Sequence, residues 1–229
     1  VRLRASADAM SNAGDGATSA NHVANVTYNV MRGGIPVDGY RMSTSDYCQF
    51  IKNRNQRVFE DCRGFLDSLP GEMALDDVLA KVSAEGQPHL VRLTYEYLPF
   101  AFSRRHGDPS RPWNTFSIQV QDDSGELVCH YEGNWRDIFQ NWEALCTSFP
   151  GYLTSALSVF VNASTVDGFN PYRISREGVD WEVPEPENPW SNIGYWGDHQ
   201  IAYLLALLEA SERYRPGEVR RLFNERFFS

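Results

Sequence analysis

The chain has 229 residues, 42% of them apolar, and a formal net charge of −9. That length and apolar content support a buried core and exclude a disordered polymer. The acidic balance, with no stripe of Lys and Arg to oppose it, argues against nucleic acid as a partner, and no apolar run nears the roughly 20 residues of a membrane span.

Residues 1–42 read as an irregular N-terminal segment, because Val1 to Asn21 is rich in Ser, Ala, Gly and Asn and has no apolar period. Residues 43–229 read as mainly α. Ser43 to Leu69 predicts one helix, with Tyr47, Phe50, Ile51, Phe59, Phe65 and Leu66 among its apolar positions and Pro70-Gly71 ending it. Leu75 to Ala84 predicts a second, and Pro88 to Ser103 a third that Pro99 kinks or ends. Phe116 to Val120 alternates and is followed by Asp123-Ser124-Gly125, which predicts a small β-hairpin with Leu127 to Cys129. Further helices are expected over Arg136–Phe149, with Ile138, Trp142, Leu145 and Phe149 on one face, over Tyr152–Val161, over Asp198–Tyr214 and from Pro216. The helix after Asp198 is apolar almost all round, which suits packing on both sides. Between Thr165 and Gly197 lies a connection long enough to read as a functional ordered loop.

Cys48, Cys62, Cys129 and Cys146 have neither metal-ligand spacing nor a Cys-x-x-Cys pair. On a single helix Cys48 and Cys62 stand about 21 Å apart, too far for a disulfide. Buried free thiols in a reducing, cytoplasmic compartment are the expectation. One could see a metal site in Asp198-His199, but without a second His-rich motif none is expected.

The residues that carry chemistry lie between His130 and Gln200. A helix-like stretch from Tyr131 to Glu143 is followed by a loop holding Asp180-Trp181-Glu182, Glu185, Glu187, Trp190, Tyr195, Trp196, Asp198 and His199. Mixed aromatic rings and carboxylates suit a sugar, whose C–H faces pack on rings and whose hydroxyls seek charged or amide partners. Arg136, Gln140 and Glu143 recur at helical spacing and either face a sugar or tie neighbouring helices. Asp137 and Asp198 either bind substrate or cap the helices they begin, and His199 either binds substrate or phosphate or serves a nearby carboxylate. Trp181 and Trp196 are stacking candidates, with Trp135 beside Arg136. Cleaving a glycosidic bond needs a carboxyl that protonates the leaving oxygen, and Asp180 and Glu182 are the candidates. Trp181 would wall Glu182 from water and raise its pKa, whereas Pro184-Glu185-Pro186-Glu187 reads equally as a solvated surface segment.

The segment Gly133-Asn134-Trp135-Arg136-Asp137-Ile138-Phe139-Gln140 resembles the Gly-aromatic-Arg-Asp-x-x-Gln stretch of inverting disaccharide phosphorylases of the cellobiose phosphorylase type. Arg173-Ile174-Ser175 and Gly197-Asp198-His199-Gln200 hold comparable places, so the resemblance spans about Tyr131 to Glu209. It implies a six-hairpin (α/α)6 toroid, of which this chain would supply roughly half, the rest lying on a continuation or a second chain. It also implies an oligosaccharide or glycoside as partner, no organic cofactor, and inorganic phosphate as co-substrate if cleavage is phosphorolytic. Two departures stand out: Asn141 sits where those enzymes often have Asp, and their Asp-Trp-Asn-Asp-Gly general-acid motif is not in this chain. A non-catalytic carbohydrate-binding or scaffolding toroid, or a purely structural helical domain, are the alternatives.

Overall fold

Asn55 leaves helical geometry (φ −158°, ψ 96°), and its side chain accepts a hydrogen bond from the Val58 amide at 3.1 Å. The single helix expected over Ser43 to Leu69 is therefore three: α2 (Thr44–Arg54), α3 (Gln56–Asp61) and α4 (Arg63–Asp67). An asparagine that caps the next helix is a local competitor that apolar spacing does not register. The structure, a computed structural model, describes residues 15–32, 35–101, 121–126, 128–181, 185–187, 195–196 and 200–224, with the side chains of 28–32 and 195–196 outside that description.

The chain is mainly helical, as its sequence predicts. Helix α1 (Gly16–Arg32) runs through the segment expected to be irregular. Its start is fixed by Asp15, which accepts from the Thr18 amide and hydroxyl at 2.8 and 2.7 Å. It docks through both Val26, buried in the main core, and Asn25, whose amide donates to Ala144 O, Thr147 Oγ1 and Ser148 Oγ at 2.6–3.1 Å.

Strands β1 (Ile35–Pro36) and β4 (Phe100–Ala101) pair antiparallel, as do β2 (Arg41–Ser43) and β3 (Glu72–Ala74). Helices α2 and α5 (Leu75–Glu85) each begin on the residue after one of these strands, so the β2–β3 ladder fixes where the two helices start. Gly86, at φ +76°, closes α5 in the left-handed conformation that glycine adopts without strain. Helix α6 (Pro88–Glu96) ends three residues before Pro99, the tetrapeptide Tyr97–Phe100 turning out toward β4.

Strand β5 (Glu132–Asn134) leads into α7 (Trp135–Cys146); a 3-10 turn (Pro150–Tyr152) leads into α8 (Leu153–Ala163). The stretch read as a long loop contains β6 (Phe169–Asn170), β7 (Arg173–Ser175), β8 (Val179–Asp180) and β9 (Tyr195–Trp196). Helices α9 (Ile201–Tyr214) and α10 (Glu218–Leu222) follow. Strand 116–120 of the expected hairpin lies outside the described residues, but its turn is present: the Asp122 carboxylate accepts from the amides of Ser124 and Glu126.

One apolar cluster joins α2, α6, α7, α8 and Leu207 of α9. Its centre is aromatic, with Trp135 and Phe139 at 4.5 Å, Phe139 and Trp142 at 5.2 Å, and Phe100 set edge-on to Tyr152 at 5.0 Å. All four positions predicted for the inner face of α7 and its C-terminal end, Ile138, Trp142, Leu145 and Phe149, are fully buried. Helix α9 packs differently from expectation: Leu207 is buried while Ile201 and Leu205 stay more than half exposed, so it is one-sided among the described residues. A charge sits inside this framework as well. Glu96, 2% exposed, accepts from Arg54 and Arg92 at 3.0 Å and from Asn162 at 2.8 Å, clamping α2, α6 and α8 together.

All four cysteines are free, and no helix among the described residues is long and apolar enough to cross a membrane.

Candidate functional site

The polar residues of interest meet on a three-stranded antiparallel sheet ordered β5-β7-β8. Register places Asn134 opposite Arg173 and Arg173 opposite Asp180, with Glu132 opposite Ser175. Opposed residues in antiparallel strands share a face, and residues two apart along a strand do too. Glu132, Asn134, Arg173, Ser175 and Asp180 therefore share one polar face, on which Arg173 is ion-paired with Glu132. The opposite face carries Ile174, which is buried, and Val179, packed on the core.

Helix α7 starts directly from this sheet. The Trp135 amide donates to Tyr172 O and the Tyr172 amide donates to Asp180 O, each at 3.0 Å. The first turn of α7, with Arg136 and Asp137, is thereby held beside the strand end carrying Asp180 and Trp181. Backbones two strands apart are separated by about 10 Å. The Arg136 and Asp137 side chains are 37% and 29% exposed and 3.6 Å apart (Nε to Oδ1). Asn134 donates to Asp137 at 3.5 Å, while the buried Asn134 Oδ1 has no hydrogen-bond partner among the described residues. Asn141, at the position where an Asp would match the resemblance, donates to the Asp137 carbonyl at 2.8 Å.

Trp181 follows β8 and is 36% exposed, and Asp180 is exposed. Gln140 lies one turn along α7 from Arg136 and is exposed. Glu143, on the same side of the helix, is half-buried, which raises its pKa. Trp135 is wholly buried against Phe139 and Phe160, so its ring offers no face to solvent. Glu182, Asp198 and His199 lie outside the described residues. The Trp196 backbone pairs with Phe169, with its side chain outside the description. The stretch expected to continue helically from Tyr131 is a strand through Asn134, with Gly133 opposite Ile174.

Sequence reading did not single out Glu132 and Asn134, because strands of two or three residues are too short to show a period. It also passed over Arg176 and Asp46, 130 positions apart, whose side chains meet at 2.5 Å. Asp46 lines a separate cleft of about 770 Å³ that also involves Met42, Gln49, Tyr97 and Cys129. Burial, with the Asp46 carboxylate beside it, pushes the Cys129 thiol up to about 12. No group of three or more His, Cys, Asp or Glu among the described residues could hold a metal ion.

The start of α7 thus carries a partly exposed guanidinium and carboxylate, and the end of β8, two strands away, an exposed carboxylate followed by a partly exposed indole. Residues 37–99 match the family model described as Glycoside hydrolase family 149 insertion domain 1. That relates the chain to a glycoside hydrolase family without singling out the cellobiose phosphorylase type. A comparison with curated proteins finds no match. The bounds of the matched segment coincide with a structural neck: the Val37 amide donates to Pro99 O at 3.0 Å, and β1 pairs with β4 immediately outside it. A segment that enters and leaves through paired strands has the geometry of an insertion.

Proposed function

We propose that this chain is a portion of a carbohydrate-active enzyme acting on a glycosidic bond, and that the β5-β7-β8 face with the start of α7 is a sugar subsite. The observation that supports this reading is the register that lines Asn134, at the start of α7, up with Asp180 two strands away. Arg136 donates to sugar hydroxyls, Asp137 accepts from them, and Trp181 stacks on the ring. Asp180 or Glu182 serves the leaving oxygen as acid, and Gln140, Trp196, Asp198 and His199 are further substrate-binding residues of this reading. Water or inorganic phosphate is the nucleophile. The helices form part of an α/α-toroid, completed by the remaining part of the same enzyme or a second chain in the cytoplasm.

A second reading, a carbohydrate-binding or scaffolding module without chemistry, is favoured by the match being to an insertion domain and by the neck that closes it. The test is an assay of glycosides with and without inorganic phosphate, alongside calorimetric binding. Arg136→Ala and Asp137→Ala should each weaken binding about tenfold, near 1.4 kcal/mol for a lost charge-assisted hydrogen bond. Binding unchanged by both substitutions would sink the subsite, and binding without turnover in the complete enzyme would select the second reading.

A further inference from the structure

The β7–β8 hairpin has only two residue pairs, Arg173 with Asp180 and Ile174 with Val179. Strands this short do not hold themselves in place, so their position comes from what they are tied to. The tie is Arg176, in the turn between them. Its amide donates to Tyr131 O and its Nη1 to Cys129 O, each at 3.0 Å, while its Nη2 reaches Asp46 at 2.5 Å. The guanidinium lies within 6 Å of the Phe50 and Tyr97 ring centroids. It is 11% exposed. Asp46 gathers more than this one partner. It accepts from the Tyr97 hydroxyl at 2.6 Å and lines one cleft with Cys129, in the segment that runs into β5 and α7.

Both strands that present the subsite are thus fastened to the Asp46 carboxylate by way of Arg176. Strand β5, which leads to Arg136 and Asp137, is held by Arg176 through the carbonyls of Cys129 and Tyr131. Strand β8, which leads to Trp181, is held through Arg176. Asp46 belongs to α2, inside the segment matched to the insertion domain.

We infer that Asp46 and Arg176 are positioning residues for the sugar subsite, and that residues 37–99 act on that subsite through them. The inference rests on the subsite reading above and can fail separately from it. A disturbed tether lets β5 and β8 move apart, so Trp181 and the Arg136–Asp137 pair cease to address one ring. Simultaneous donation to two acceptors from one planar group, with ring contact, is what a lysine cannot reproduce.

The experiment uses the full chain and compares Asp46→Asn, Arg176→Met and Arg176→Lys with Tyr47→Phe. The control removes a buried hydrogen bond between α2 and α6 (Tyr47 to Thr94, 2.6 Å) without touching the hairpin. Peptide-resolved hydrogen exchange should show protection falling at least tenfold in 131–137 and 172–181 together for Asp46→Asn and Arg176→Met. Arg176→Lys should fall between them and wild type, and Tyr47→Phe should leave both segments protected. Dissociation constants for a gluco-disaccharide panel should rise at least fivefold in the first two variants at a melting midpoint matched to Tyr47→Phe. Exchange and affinity in the tether variants that follow the control would overturn the inference, with Arg176→Lys deciding if the stronger variants do not fold. A wild-type chain that binds no member of the panel counts against the subsite, and the exchange pattern then decides the tether alone.

Discussion

Replacing Glu96 by glutamine removes one negative charge and almost no volume from the clamp between α2, α6 and α8. The carboxylate is 2% exposed and accepts from three donors: Arg54 and Arg92 at 3.0 Å and Asn162 at 2.8 Å. Glutamine keeps one acceptor oxygen and turns an amide N–H toward a donor, so at least one charge-assisted bond is lost, each contributing about 1.5–3 kcal/mol. It also leaves two guanidiniums without their countercharge. A fully buried pair broken this way loses about 3–5 kcal/mol, but Arg54 and Arg92 are 22% and 25% exposed and recover hydration, which lowers the figure. The expected destabilisation is about 2–3 kcal/mol. Urea unfolding should show it as a lower midpoint at unchanged slope, and heating as a drop of about 4–12 °C. A loss under about 1 kcal/mol would refute the view that Glu96 holds the three helices.

Two further outcomes follow from packing and burial. A Cβ added at Gly151 would meet Tyr40 Cε1 at 2.5 Å, and that ring is stacked on Tyr152 and donated to by the Gly151 amide, so Gly151→Ala should cost about 1–3 kcal/mol by chemical denaturation; a neutral substitution would mean that the ring swings aside freely. Burial raises the phenol pKa values of Tyr47, Tyr97 and Tyr152 and pushes Tyr131 up to about 12. Because the folded values exceed the unfolded value near 10, the unfolded chain binds fewer protons above that pH, and stability falls as pH rises, by about 1.4 kcal/mol per unit for each phenol. Urea midpoints between pH 9 and 11.5 should drop steeply; a flat profile would contradict the buried, protonated phenols.

The helices were legible where apolar residues repeat and a breaker ends them. Ile138, Trp142 and Leu145 gave α7, and Leu75, Val78 and Val82 gave α5 before Gly86. Legibility failed where polar side chains decide. Asn55 caps a new helix inside an apolar period, and α1 docks partly through Asn25 on residues about 120 positions away. At the candidate site, Arg136, Asp137, Asp180 and Trp181 could be singled out one by one as sugar-binding candidates. The pairing that lines Asp180 up with the start of α7 was not legible, because it depends on the register of strands two or three residues long, which leave no repeat in the sequence. The Asp46–Arg176 contact is the extreme case, a single pair spanning 130 positions.

The neck at Val37 and Pro99 separates two properties that usually go together. In chain terms the enclosed segment is removable: its ends are hydrogen-bonded neighbours, so a short turn could rejoin the strands outside it with little loop-closure entropy. In packing terms it is not, since Tyr47, Phe50 and Leu93 from within it share one core with Trp142 and Phe160 from outside. A deletion variant would splice cleanly and leave an open apolar wound, which is the mark of an addition that the rest of the molecule has come to lean on.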